Sequence, residues 1–171
     1  MATDAGALYI VIAPIAVAFA GFGSLASGLG VRHGGDDARV DAFRLSTMLF
    51  SSLSATLLGL LPATLENLFI ADATAVRMAA LLGLLAIVAY VPVGAWRVRK
   101  LRTLSGFSRS GGLANSVCLF TAFVAFALSA AGVAPRAGAG IYLVGLIGLL
   151  SSSMVMFWRV IASMLRPSHN P

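Results

Sequence analysis

Imidazoles, low-pKa thiols and paired carboxylates are the side chains that move protons or attack carbonyls near neutral pH, and this sequence holds few of them. The two histidines are His33 and His169, the latter third from the C-terminal end. His33 sits in Arg32-His33-Gly34-Gly35-Asp36-Asp37, whose His and Asp side chains are metal-ligand types; a solvated turn with local ion pairs uses the same residues. The single cysteine, Cys118, excludes an intrachain disulfide and a multi-cysteine zinc site. No cation lies near it in sequence to lower its pKa, so it reads as a small apolar filler. Neither HExxH nor a paired-carboxylate motif appears. Gly21-Phe22-Gly23 lies inside an apolar stretch and cannot act as a nucleotide loop. The expectation is therefore no enzyme, no cofactor and no metal.

Hydroxyls are what the chain has in quantity. Ser46, Thr47, Ser51, Ser52, Ser54 and Thr56 crowd one apolar stretch, Asn115, Ser116 and Thr121 another, and Ser151-Ser152-Ser153 a third. At helical spacing Thr47, Ser51 and Ser54 share a face, with Ser52 and Thr56 on another. Such groups serve two purposes in a membrane. They glue helices together, or bond the carbonyl four residues back; alternatively they line a hydrated path, for which Thr47, Ser51, Ser54 and Ser152 are the candidates. Glu66 and Asn67 follow directly, just past Pro62, with Asp72 in the same loop. They would form an outer mouth in which Glu66 gathers cations, or Glu66 pairs with Arg77 and fixes the hairpin.

The elements that must carry these residues follow from charge. Of 171 residues 59% are hydrophobic and 11% charged, against about 25% charged in a soluble domain. Five stretches contain no Asp, Glu, Lys or Arg: Leu8–Gly30, Leu45–Leu65, Met78–Trp96, Leu113–Ala134 and Ala137–Trp158. Each reaches the ~20 residues that cross a ~30 Å hydrocarbon core as a helix. The sequence thus predicts an all-α polytopic membrane protein, one transmembrane domain over residues 1–171 with five spans. Short alternating segments of the kind that build outer-membrane barrels are missing. Met1–Gly6 carries no Lys or Arg, so the first span is expected to stay rather than be removed as a signal.

All cations but Arg77 and Arg136 fall on one side of this scheme. The positive-inside rule makes that side cytoplasmic, with the N-terminus out and the C-terminus in, in a plasma (inner) membrane. The net charge of +6 has the same origin, and no extramembrane segment is long enough to fold into a nucleic-acid-binding domain. Within the basic stretch Arg97–Arg109, Arg99, Lys100 and Arg102, with Arg97, are candidates to meet anionic headgroups along the membrane surface. Val98, Leu101 and Leu104 would face lipid.

Packing signals complete the reading. Ala16, Ala20, Ser24 and Gly28 fall four apart in the first span, and the face carrying Ala20, Ser24 and Gly28 invites close helix approach. Pro14 and Pro92 should kink their helices, Pro92 freeing the Val88 carbonyl. Trp96-Arg97-Val98 recurs as Trp158-Arg159-Val160, and a slide of the same length pairs Gly83 with Gly145. Helices two–three and four–five are then candidates for a tandem repeat, although belt tryptophans beside basic residues arise without one. No span carries a charge at its middle, which speaks against ion-coupled transport. The leading functional reading is a homo-oligomeric channel or pore-like protein for passive permeation. The runner-up is a non-catalytic accessory subunit stabilising a larger membrane complex, and a membrane-embedded enzyme or cofactor holder comes third. The expected partners are the lipid bilayer and either further copies or that complex, with no nucleic acid.

Overall fold

The computed structural model describes residues 11–12, 14–21, 36–68, 72–101, 109–133 and 138–164. The described secondary structure is helical: α1 (residues 11–12 and 14–21), α2 (Asp36–Asn67), α3 (Asp72–Leu101), α4 (Arg109–Ala131) and α5 (Gly138–Met164). Segments Arg39–Asn67, Ala73–Leu101, Ser110–Ala131 and Gly138–Ser163 are long and apolar enough to cross a membrane. They coincide with predicted spans two to five. Of span one only the α1 residues are described; the remainder lies outside the described residues, so the fifth crossing rests on the sequence pattern.

Four helices outrun their charge-free stretches, α4 at its start, where it begins at Arg109 rather than Leu113. α2 begins at Asp36 rather than Leu45, α3 runs from Asp72 through Leu101, and α5 passes Arg159 to reach Met164. Absence of charge marks the hydrocarbon layer, whereas a helix continues into the headgroups, where long basic side chains reach water. α3 therefore remains a helix through Arg97, Arg99 and Lys100, the first part of the segment expected to turn along the surface. α4 ends early, at Ala131 instead of Ala134. Gly132 takes the left-handed conformation (φ 65°). Its N–H bonds the Ser129 carbonyl at 3.2 Å and the Val133 N–H bonds Leu128 at 3.3 Å. These two bonds are a Schellman stop.

α2 to α5 close a ring in chain order, α2 on α3, α3 on α4, α4 on α5 and α5 back on α2. Each neighbouring pair is antiparallel, as short connections require. α1 joins through buried Ile12 and Ala16 and through Phe19, whose ring meets Phe157 of α5 edge-on at 5.8 Å. Alanines fill the helix contacts: Ala55, Ala75, Ala79, Ala80 and Ala122 are fully buried. Leu57, Leu85, Leu113, Val117 and Phe120 point outward. Small residues inside and large aliphatics outside suit helices surrounded by lipid, where close backbone approach replaces hydrophobic drive. Two large rings enter the centre, Phe126 and Tyr142, with centroids 5.4 Å apart. Phe126 of α4 is fully buried, and a Cβ on Gly83 or Gly145 would lie 3.0 Å or 2.6 Å from it. Two glycines, one on α3 and one on α5, thus make its seat.

Candidate functional site

The polar centre of the bundle lies between α2, α4 and α5. Ser51, Ser52, Ser152 and Ser153 have no exposed surface, and Asn115 is buried. Ser51 and Ser152 hydroxyls are 3.1 Å apart, and Ser152 donates to Asn115 Oδ1 at 2.6 Å. A hydroxyl has one proton, so Ser51 is the donor to Ser152 and the chain runs α2 to α5 to α4. Beside it, Ser52 and Ser153 lie 2.6 Å apart, 2.9 Å and 2.8 Å from the Met48 carbonyl; with one proton each, one hydroxyl donates to the other, which donates to Met48. A shared carbonyl acceptor closes this second group. In a low-dielectric interior such satisfied networks hold helices in register.

A third chain joins α2 to α3. Tyr90 donates to Thr47 Oγ1 at 2.6 Å, and Thr47 donates to the Phe43 carbonyl at 3.0 Å. The Tyr90 ring stacks on Phe50 with centroids 4.0 Å apart. Nearer the basic end Arg97 Nη1 reaches Ser46 Oγ at 3.1 Å, and Ser46 donates to the same Phe43 carbonyl at 2.9 Å. Asp41 accepts from Arg44 at 2.6 Å, and Ser163 Oγ, 2.7 Å from the Val160 carbonyl, lies 3.1 Å from both Asp41 oxygens, which brings α2 against the last turns of α5. Among the described residues, no buried side-chain N or O atom lacks a hydrogen-bond partner.

A fourth contact was open to sequence reasoning and was missed. Pro62 lies inside α2 and has no N–H, so the Leu58 carbonyl loses its helical donor. Tyr142 of α5, fully buried, donates to that carbonyl at 2.6 Å. A proline within an apolar span signals such a need, since the residue four before it must find another donor.

The predicted site residues thus divide. Thr47, Ser51 and Ser152, expected along a pore, are buried and bonded to other helices or to backbone; Ser54 is half-buried. Glu66 and Asn67 are exposed at the end of α2. The alternative Glu66–Arg77 pair is corrected: the two form no ion pair, and the Arg77 guanidinium instead lies against Gly132 at the C-terminus of α4. A cation is favoured there by the helix dipole and the last carbonyls. At the basic end Arg97 leans on Ser46, Lys100 Nζ sits 3.9 Å over the Trp96 ring, and Arg99 is exposed. Arg102 lies outside the described residues. On α1, Ala16 is buried and Ala20 half-buried, while Ser24 and Gly28 are outside the described residues.

No family model matches the chain, and neither does a curated protein or a solved structure. Geometry and chemistry alone bear on its role.

Proposed function

We propose that this chain is a non-catalytic helical subunit that packs laterally in the membrane and stabilises a larger membrane complex. The observation that carries this reading is the hydroxyl network. Ser51, Ser52, Ser152 and Ser153 bond one another, Asn115 and the Met48 carbonyl, and these bonds act as helix glue. Hydroxyls that line a hydrated path keep lone pairs or protons for the solute. Here each of the four serine hydroxyls is engaged by another hydroxyl, an amide oxygen or a backbone carbonyl of the bundle. What the bundle offers to a neighbour is its outer surface of leucines and valines. We place it in the plasma (inner) membrane with its basic end toward the cytoplasm, on the positive-inside rule.

A homo-oligomeric channel is the second reading, with the path running between copies rather than through one. Ser116 and Thr121 favour it, since both are exposed hydroxyls on the membrane-spanning part of α4. Purification in mild detergent followed by recording in planar bilayers separates the two. Copurification with other membrane subunits, and no conductance from the chain alone, is the outcome expected of the subunit reading. A homogeneous homo-oligomer whose conductance changes with Ser116→Ala or Thr121→Val would replace it by the channel.

A further inference from the structure

A furrow of about 630 Å³ runs between α4 and α5 on the outer surface, in the half of the bundle nearest the basic end. Ala114 of α4 and Met154, Val155 and Trp158 of α5 line its length, and Ser110 and Arg159 stand at its end. Met154 is 63% and Trp158 70% exposed, so the furrow opens sideways to the bilayer. We propose that it holds one anionic phospholipid, an acyl chain lying along Ala114, Met154 and Val155 and the phosphate meeting Arg159. The proposal rests on the bundle standing in a membrane and on neither functional reading above.

Three features argue for that occupant. First, the lining is mainly apolar, with Ser151 the one hydroxyl away from the charged end, and cationic at that end, the complement of an amphiphile with a single anionic head. Second, Arg159 is built into the furrow. A Cβ at Gly111 would run into its guanidinium, so the bare first turn of α4 gives that side chain its place. A basic residue that only sets topology extends freely toward water and needs no such glycine. Third, Trp158 lies beside it, a ring that prefers headgroup depth. A second furrow between the same helices, lined by Phe120, Thr121, Val124, Ile141 and Val144, has no charge and offers no head-group anchor. A second copy of this chain suits the charged furrow poorly: two-fold packing through this face sets the two Arg159 cations at one depth, facing each other.

The chain's two tryptophans make the test direct. Trp96→Phe leaves Trp158 as the sole indole, placed in phosphatidylcholine vesicles with rising fractions of brominated phosphatidylglycerol or brominated phosphatidylcholine. Half-quenching of Trp158 is expected at about a fivefold lower fraction of the anionic lipid, the worth of one basic side chain near an anionic surface. Arg159→Gln should merge the two curves and Arg159→Lys should keep them apart. Ala114→Leu, which fills the furrow and leaves every charge in place, should also merge them. It decides the matter if the Arg159 variants fail to insert. Coincident curves before any change at Arg159 overturn the proposal, as does separation that survives Arg159→Gln. Arg99→Gln merging the curves as fully would assign the preference to diffuse charge and overturn the site. Disulfide-linked dimers formed by Met154→Cys, with neither lipid quenching, would give the furrow to a second copy.

Discussion

The Leu58 carbonyl shows how much one residue type can demand of another in a bilayer. Pro62 removes its helical donor, water is not at hand, and the Tyr142 hydroxyl fills the place at 2.6 Å. Tyr142→Phe should therefore cost about 1–3 kcal/mol, the range for leaving a buried acceptor unpaired. Pro62→Ala in the same chain restores an N–H to α2, so the double variant should recover much of that loss. Unfolding in detergent across this four-protein cycle checks it, and equal costs of Tyr142→Phe with and without Pro62 would dissociate the two residues. Arg77 and Glu66 make a contrasting case. Because Arg77 lies on the α4 C-terminus and not on Glu66, Glu66→Gln should leave thermal stability unchanged while Arg77→Gln lowers it. Matching losses from the two, relieved in the double variant, would reinstate the pair.

Helix ends and helix contacts depend on glycines in ways that charge patterns do not reveal. Gly132 stops α4 at positive φ, with the Arg77 guanidinium in the space a Cβ would take. Gly132→Ala should cost about 1–2 kcal/mol in backbone strain alone. Within the bundle, Gly145→Ala drives a methyl to 2.6 Å from the Phe126 ring, whereas Gly83→Ala brings one to 3.0 Å. Both overpack the centre, an error that costs about 1–3 kcal/mol. Gly145→Ala should lower the melting temperature further, and the reverse order would show that the Phe126 ring yields to a methyl on α5 more readily than to one on α3. Spans two to five were legible because hydrocarbon excludes charge, a requirement that each residue states for itself. The ends were not, since Asp36 and Arg99 are as compatible with helix as with loop. Ser51 and Ser152 were legible as polar residues at mid-span, but their pairing needed the closure of α5 onto α2, a contact between distant parts of the chain. The Glu66–Arg77 pair failed for a related reason: proximity in one loop was visible, and the competing helix terminus of α4 was not.

The whole bundle has two unlike ends. Arg39, Arg97, Arg99, Lys100 and Arg159 gather at one, together with Arg44, whose charge is matched by Asp41. The other carries Glu66 and Arg77 among the described residues. Trp96 and Trp158 lie at the basic end on neighbouring turns of these charges, exposed by 57% and 70%. Antiparallel pairing accounts for this without a duplicated hairpin, because α3 and α5 run the same way and each ends at that face. Belt residue and topology-setting cation then coincide twice by the same physics. The orientation that follows is measurable. In a Cys118→Ser background, Asn67→Cys should react with an impermeant thiol reagent on intact cells. Lys100→Cys should react only after the membrane is opened. Labelling of Lys100→Cys on intact cells would invert the molecule and place the charged furrow at the outer leaflet. Half-labelling at both sites would mean insertion in both directions. The cations of the basic end argue against that, since even after Arg44 is discounted they outnumber the single cation, Arg77, described at the other end.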